Sequence, residues 1–366
     1  MSTLQENRLV RAVLALPFLA LSWYCRKWLN FDHAMALLRD RFDQNKFGPE
    51  GAHMPVIWKH FGVHSIDYNL RGIAAFFVPS LLGTDAISWW QMIFFLTDLA
   101  PIYVIWLLES CRRGNAWTPA YMATLWGYAS QLLGIGFLAP IYCFLYFVFS
   151  PTASQLASNS QARSLKKEYI PFYLPLLLVL HNGLVFLMYF APDPMARYRY
   201  NFTWQPMIFV IGFLNVVLSL TLLRVPGFSS LKTSPLFSAK ALSIAVSILS
   251  FSVWAYVWLC SPFPGRGIFI PIRVDEAPME LGLHARRTLQ FDLLSSFGGS
   301  LAWMAGLFLD MYAGGVIQGQ ELLTALLTLP AVTAIGGPGV AVLNGWWWRE
   351  RKLTSRRLGA KRCIIL

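Results

Sequence analysis

Apolar residues dominate this chain in long runs, and the polar positions that interrupt them are few. Runs of spanning length cover residues 86–109, 120–149, 170–191, 204–223, 241–260, 291–312 and 322–347. A hydrocarbon core about 30 Å thick takes roughly 20 helical residues to cross, so each run predicts a transmembrane helix. A shorter run, 72–82, follows Asp67 and predicts a tilted or half-inserted helix ending near Gly83. Residues 9–25 could span, lie in the interface or pack on the bundle. The expected fold is all-α, a polytopic transmembrane helical bundle of about seven to nine helices. Three parts are expected: residues 1–71, an N-terminal hydrophobic helix with a polar segment; residues 72–348, the catalytic bundle; and residues 349–366, a basic cytosolic tail.

Pro101, Pro140, Pro175 and Pro330 fall inside the runs, where each frees a backbone carbonyl and allows a kink. The long polar stretches are 26–71, with His33, His53, His60 and His64, and 261–290, with Arg266, Arg273, Asp275, Glu276, Glu280, His284, Arg286 and Arg287. The second could cap the mouth of the bundle. The histidines are too scattered in sequence for a metal site.

Composition agrees with a lipid environment. The chain is 56% hydrophobic and 13% charged, against roughly 25% charged for soluble domains. The net charge of +12 comes from loops and from a tail holding Arg349, Arg351, Lys352, Arg356, Arg357, Lys361 and Arg362 against Glu350 alone. In a membrane protein that run marks the cytosolic side rather than a nucleic-acid site. Working back from a cytosolic tail, the loops alternate with one violation, the basic 150–169 loop. Asn201, in its Asn-Phe-Thr sequon, would then face the cytosol. Cys25, Cys111, Cys143, Cys260 and Cys363 show no metal spacing and no disulfide framework. Residues 9–25 carry Arg11 and lack a small-residue cleavage site, so no cleavable leader is expected.

The chemistry rests on carboxylates. An ionised acid in hydrocarbon costs about 2.5–3.5 kcal/mol even on the lenient insertion scale, so acids kept there usually face a polar cavity. Asp98 and Glu109 lie eleven residues apart on one predicted helix, and Asp292 and Asp310 eighteen apart on another. Both spacings return the pair to one helical face, the first about 16 Å apart along the axis. With four predicted spans between them, the two helices should run antiparallel, which places Glu109 and Asp292 at one membrane level. That holds only if 120–149 is a single helix. Facing carboxyls could share a proton, and a neutral acid in a dry pocket is a capable donor. The bland alternatives stay open: Glu109 paired with Arg112 or Arg113, Asp98 bonded to neighbouring backbone, Asp292 complementing a helix dipole, and Asp310 solvated at a helix end.

Aromatic rings within the spans, Trp106, Trp126, Tyr128, Tyr142, Tyr146, Trp254 and Trp303, could stabilise a carbocation or could be packing alone. His181 and Asn182, a polar step before Gly183, could orient a substrate or bond a neighbouring helix. No acidic magnesium-diphosphate motif, glycine-rich phosphate loop or zinc signature occurs, and no cofactor or metal is expected. A carbocation would then arise by protonating an alkene or epoxide.

These residues resemble a known family. The run His64, Ser65, Ile66 and Asp67 through Phe76, Phe77, Val78 and Pro79 is one part of the likeness. Thr97, Asp98, Leu99, Ala100 and Pro101, with Trp106, Glu109, Ser110 and Arg112, are another. Together they resemble the fungal integral-membrane terpene cyclases of meroterpenoid pathways, of the ascochlorin, ascofuranone and macrophorin type. The similarity covers roughly residues 56–310 and includes Pro140, Ile141, Tyr142 and His181, Asn182, Gly183. It implies non-ionising cyclisation, in which an enzyme acid protonates a terminal epoxide or alkene of a farnesylated aromatic substrate and ring closure follows. Glu109, Asp98 and Asp292 are the expected acids. His181, Asn182, Trp106, Tyr142, Trp303 and Asp310 are the expected substrate contacts, and the endoplasmic reticulum is the expected membrane. Cys363 with Ile364, Ile365 and Leu366 forms a C-a-a-X box behind the basic stretch. The rival class is a transporter or lipid-handling protein whose acids couple protons or a cation.

Overall fold

The computed structural model describes residues 7–47, 54–271 and 280–362. His53, Arg273, Asp275, Glu276 and the C-a-a-X box at Cys363 lie outside the described residues, as do the side chains of Arg356, Arg357, Lys361 and Arg362. In chain order, α1 (Arg8–Leu29) and α2 (Phe31–Asp43) lead to a two-stranded antiparallel ribbon of β1 (Lys46–Phe47) and β2 (Met54–Pro55), with Lys46 opposite Pro55. Two shorter helices follow, α3 (His64–Phe76) and α4 (Val78–Leu82), before the long α5 (Ala86–Ser110). Next come α6 (Ala123–Leu133), α7 (Ile135–Phe149) and the short α8 (Ala153–Ser158). One helical run, α9, comprises Tyr173–Leu176, a π-helical stretch Leu177–Gly183, and Leu184–Phe190. The rest are α10 (Pro194–Trp204), α11 (Met207–Thr221), α12 (Ala239–Cys260), α13 (Gly265–Phe269), α14 (Leu281–Ala313), α15 (Gly319–Gly336) and α16 (Pro338–Arg362). The fold is an all-α bundle, and seven described helical segments are long and apolar enough to cross a membrane.

Helix α5 is the axis. From Gln91 to Glu109 every residue is buried, so its apolar surface meets other helices on all sides rather than lipid. Asp85 caps its start, accepting from Ser88 N at 3.2 Å and pairing with Arg286 at 2.9 Å. Around it α7, α14 and α16 run in its own direction. Phe95 lies against Phe297 (ring centroids 6.2 Å), while Tyr146 stacks edge-on to Trp303 (4.9 Å) further along. Helices α1 and α12 run the opposite way. Arg8 sits over Phe149 while Ser22 donates to Phe137 O at 2.7 Å, and Tyr256 contacts Trp90 while Trp254 contacts Phe94. Small residues permit close approach, as membrane helices without a mutual hydrophobic drive require. Ser295 Oγ donates to Gly136 O at 2.6 Å, and a Cβ on Gly299 would lie 3.2 Å from Pro140.

Three expectations are corrected. The 120–149 run is not one helix: Gly134 (φ +87°) breaks it, and α6 and α7 form a hairpin with Trp126 against Tyr142. Five helical passes therefore separate α5 from α14, not four, and the two run parallel. Glu109 lies beside the Trp303 end of α14, and Asp292 beside the opposite end. That separation, about eleven residues of helix, is roughly 16 Å. The 322–347 run also breaks, at Gly337 (φ +91°), into α15 and α16. Both breaks use a left-handed backbone that glycine adopts without steric cost. Finally, residues 281–290 belong to α14 rather than to a loop, and Arg286 and Arg287 on that extension are buried.

Candidate functional site

Asp98, Asp292 and Asp310 share one construction. Each carboxylate accepts a hydrogen bond from the first backbone N–H groups of a helix that starts elsewhere in the chain. Asp292 Oδ1 accepts from Gly136 N at 2.6 Å, at the start of α7. Asp98 Oδ2 accepts from Gly339 N at 2.8 Å, at the start of α16, and Asp98 Oδ1 accepts from Ser250 Oγ. Asp310 Oδ2 accepts from Ala153 N at 2.6 Å, at the start of α8. A helix beginning inside a bundle presents N–H groups with no intrahelical partner and no water to satisfy them, and its dipole favours a negative neighbour. The breaks at Gly134 and Gly337 create the first two of those ends, Thr152 caps the third, and the acids answer all three.

Glu109 is held differently. Arg112 donates to both of its oxygens, Nε to Oε2 at 2.7 Å and Nη2 to Oε1 at 2.8 Å. Asn115 Nδ2 (2.8 Å) and Tyr146 OH (3.0 Å) also reach Oε2, and Trp346 Nε1 (2.7 Å) reaches Oε1. Arg349 Nη1 lies 3.5 Å from Oε1 and 2.8 Å from Glu350 Oε1, which in turn meets Arg112 Nη2 at 2.8 Å. Two buried cations and two anions thus form a balanced knot joining α5, α7 and α16. Burial alone would lower the pKa of Arg112, but Glu109 and Glu350 reverse this and hold it well above its ordinary value.

Above the knot stands a ladder of rings. Tyr103 contacts Trp106 (6.3 Å), Trp106 stacks on Tyr142 (4.5 Å), Tyr142 contacts Tyr146 (6.2 Å), and Tyr146 meets Trp303. The hydroxyl of Tyr142 and the indole N–H of Trp303 are buried without a hydrogen-bond partner among the described residues.

A cavity of about 310 Å³ opens at the other end of this ladder, near the lower bound of typical small-molecule sites. Its walls are Leu29, Met35, Leu38, Phe76, Phe77, Phe95, Leu96, Leu99, Ile135 and Leu289, with six polar positions: Asp292, Tyr103, Gln131, Ser130, Thr288 and Trp204. Gln131 Nε2 donates to Tyr103 OH at 3.1 Å. No ion pair among the described residues involves Asp292. Of the acids singled out in the sequence, Asp292 lines this cavity and Asp98, Glu109 and Asp310 do not.

His181 and Asn182 fall in the π-helical stretch, a feature often found at functional sites. Trp204 Nε1 donates to His181 Nδ1 at 3.1 Å, so His181 Nε2 carries the proton and donates to Leu96 O at 2.9 Å. The imidazole thereby stands behind Trp204, Leu96 and Tyr103 (ring centroids 5.3 Å), all cavity-lining, without entering the cavity itself. Asn182 is buried, and neither its Oδ1 nor its Nδ2 has a partner. Trp106, Tyr142 and Trp303 lie in the ladder below the cavity. Sequence reasoning missed Gln131, Tyr103 and Thr288. Gln131 carries a readable signal, an amide inside an apolar run that lipid would penalise.

Comparison with known proteins places this geometry in context. The FAD-dependent monooxygenase verC1 of Penicillium polonicum is 26% identical over 361 residues, covering 96% of this chain and 44% of that protein. The FAD-dependent monooxygenase anuJ of Penicillium roqueforti is 28% identical over 298 residues, covering 80% of this chain and 35% of its own length. The chain thus spans less than half the length of these curated relatives. The terpene cyclase ascI of Acremonium egyptiacum is 30% identical over 93 residues, 25% of this chain. No solved structure matches. The family model described as the CtvD domain matches residues 10–255, well over half of the chain, and the chain belongs to that family.

Proposed function

We propose that the chain is a membrane-embedded terpene cyclase acting on a farnesylated aromatic substrate, with Asp292 as the acid. The observation that carries this reading is a buried carboxyl in the wall of an apolar cavity, with which no cation pairs among the described residues. The acid gives its proton to the terminal epoxide oxygen, or to the terminal alkene, of an isoprenoid tail lying among Phe76, Phe77, Phe95 and Leu99. In the epoxide case a carbon–oxygen bond breaks, leaving an alcohol and a tertiary cation. The next alkene supplies the electron pair that closes the ring, and loss of a proton from carbon ends the sequence. The Gly136 N–H stabilises the carboxylate left behind. Ring faces along the cavity stabilise the migrating charge, each by about 0.5–2 kcal/mol.

The partial likeness to a terpene cyclase and the CtvD family membership support this reading. So do the packed ring ladder and Glu109 knot at the far end of the cavity, where a carrier would need a path to the other face. Asp98 and Asp310, bound to helix starts outside the cavity, and Glu109, surrounded by donors, are assigned to holding the bundle together. The test is co-expression with a farnesylated phenol epoxide followed by product analysis. Asp292→Asn keeps the shape, leaves folded protein and yields no cyclised product. Normal turnover by that variant refutes the assignment.

A second reading has one observation behind it: 96% of the chain aligns with part of a protein named as an FAD-dependent monooxygenase. The same bundle could then supply the membrane-embedded, substrate-holding part of a larger oxygenase. Among the described residues the only sheet is the two-stranded ribbon, which cannot form a dinucleotide-binding βαβ unit. Flavin binding would therefore fall to the portion of those relatives that this chain does not match.

A further inference from the structure

A second cavity lies away from Asp292. It measures about 670 Å³ and is bounded by α12, α15, α16 and Phe308 of α14. Its floor is apolar: Ile244, Phe308, Leu329, Val332 and Ala341. Its polar edge carries Lys240, Arg351, Asn344 and Trp347. Lys240 and Arg351 are exposed, and neither takes part in an ion pair among the described residues. Trp347 Nε1 is buried and has no acceptor among the described residues. A buried donor without an acceptor is destabilising, so a ligand oxygen placed there would relieve it.

The two cations belong to one end of the bundle. Helix α12 runs antiparallel to α5 with Ser250 beside Asp98, so Lys240 lies toward the Glu109 end, where Arg351 follows Arg349 on α16. Arg8 and Arg11 of α1 lie over Phe149 and Phe147 at that same end. The neighbouring Lys352 is already engaged by Glu321, and its Nζ lies 5.7 Å over the Trp348 ring. An apolar slot beside two unpaired cations and a buried N–H, at a basic rim, matches an anionic amphiphile with its phosphate at the rim and an acyl chain in the slot.

We infer that this groove is a binding site for one anionic phospholipid, with its phosphate between Lys240 and Arg351 and an ester oxygen on Trp347 Nε1. The site is separate from the Asp292 cavity and shares no lining residue with it. The test uses the full chain in phosphatidylcholine nanodiscs, titrated with phosphatidylserine and read by native mass spectrometry. One phosphatidylserine per chain is retained in preference to phosphatidylcholine. A Lys240→Ala/Arg351→Ala double variant binds it roughly 30-fold more weakly, each cation contributing about five-fold. Trp347→Phe, which keeps the ring but not the donor, weakens binding several-fold. Equal retention of the two lipids, or undiminished binding by the double variant, overturns the inference. One-for-one displacement of phosphatidylserine by a farnesylated phenol carboxylate also overturns it, because the groove would then belong to the substrate.

Discussion

Replacing Glu109 by glutamine separates a carboxylate that holds the bundle from one that does chemistry. In the native knot each oxygen faces three donors: Arg112 Nη2, Trp346 Nε1 and Arg349 Nη1 at Oε1, and Arg112 Nε, Asn115 Nδ2 and Tyr146 OH at Oε2. Whichever way the amide turns, its NH₂ faces three donors: at the Oε1 position Trp346 Nε1 loses its acceptor, and at the Oε2 position Arg112 Nε does, while Glu350 still takes Arg112 Nη2 and Arg349 Nη1. The charge balance fails as well, since Arg112 and Arg349 would share Glu350 alone. Removing one partner of a buried ion pair costs about 3–5 kcal/mol. In a chain of this size that is a fall in melting temperature on the order of 5–10 °C. The assay is a thermal melt in detergent, followed by fluorescence-detected size exclusion, beside turnover of the folded fraction. Glu109→Gln should melt early yet retain measurable turnover per folded molecule, and Glu109→Asp should lie between it and the parent. A Glu109→Gln protein that melts with the parent and makes no product would refute the reasoning and return Glu109 to the chemistry.

Gly136→Ala should damage both stability and activity, because its Cβ would lie 2.6 Å from Asp292 O and 2.9 Å from Asp292 Oδ1; overpacking of this kind costs about 1–3 kcal/mol, read by the same melt. Ala34 also lines the Asp292 cavity, and Ala34→Trp should abolish product while the protein still elutes as a folded monodisperse species; normal product yield would place the substrate elsewhere. His181→Ala leaves the buried Trp204 Nε1 without its acceptor, so a loss of about 1–3 kcal/mol in the melt is expected. Its effect on turnover should show as a raised KM, since Trp204 and Leu96 shape the cavity wall.

The helices were legible where apolar runs are long and bounded by polar residues. Helix α5 begins at Ala86 as expected and ends one residue past Glu109. The breaks at Gly134 and Gly337 were harder, because one glycine in an apolar run is ordinary in membrane helices. The second break did leave a mark: Gly336, Gly337, Pro338 and Gly339 in succession are turn chemistry. Taking 120–149 as a single helix reverses the direction of α14 and puts Glu109 and Asp292 at one level, whereas the break at Gly134 separates them. The start of α14 was hidden because His284, Arg286 and Arg287 look like loop residues, and only tertiary partners such as Asp85 make their burial tolerable. Singling out intramembrane acids did bring Asp292 to the cavity. What spacing could not reveal is that Asp98, Asp292 and Asp310 each answer a helix start far away in the chain.

That arrangement has a consequence for biogenesis. Asp98 enters the bilayer with α5, but the N–H it receives from Gly339 is separated from it by 241 positions. The ribosome must deliver five more crossings and a hairpin before the acid meets that partner, and Ser250 itself arrives only with α12. A nascent chain halted before α16 would carry an unquenched carboxylate in its central helix, a handle by which quality-control machinery could tell unfinished copies from finished ones.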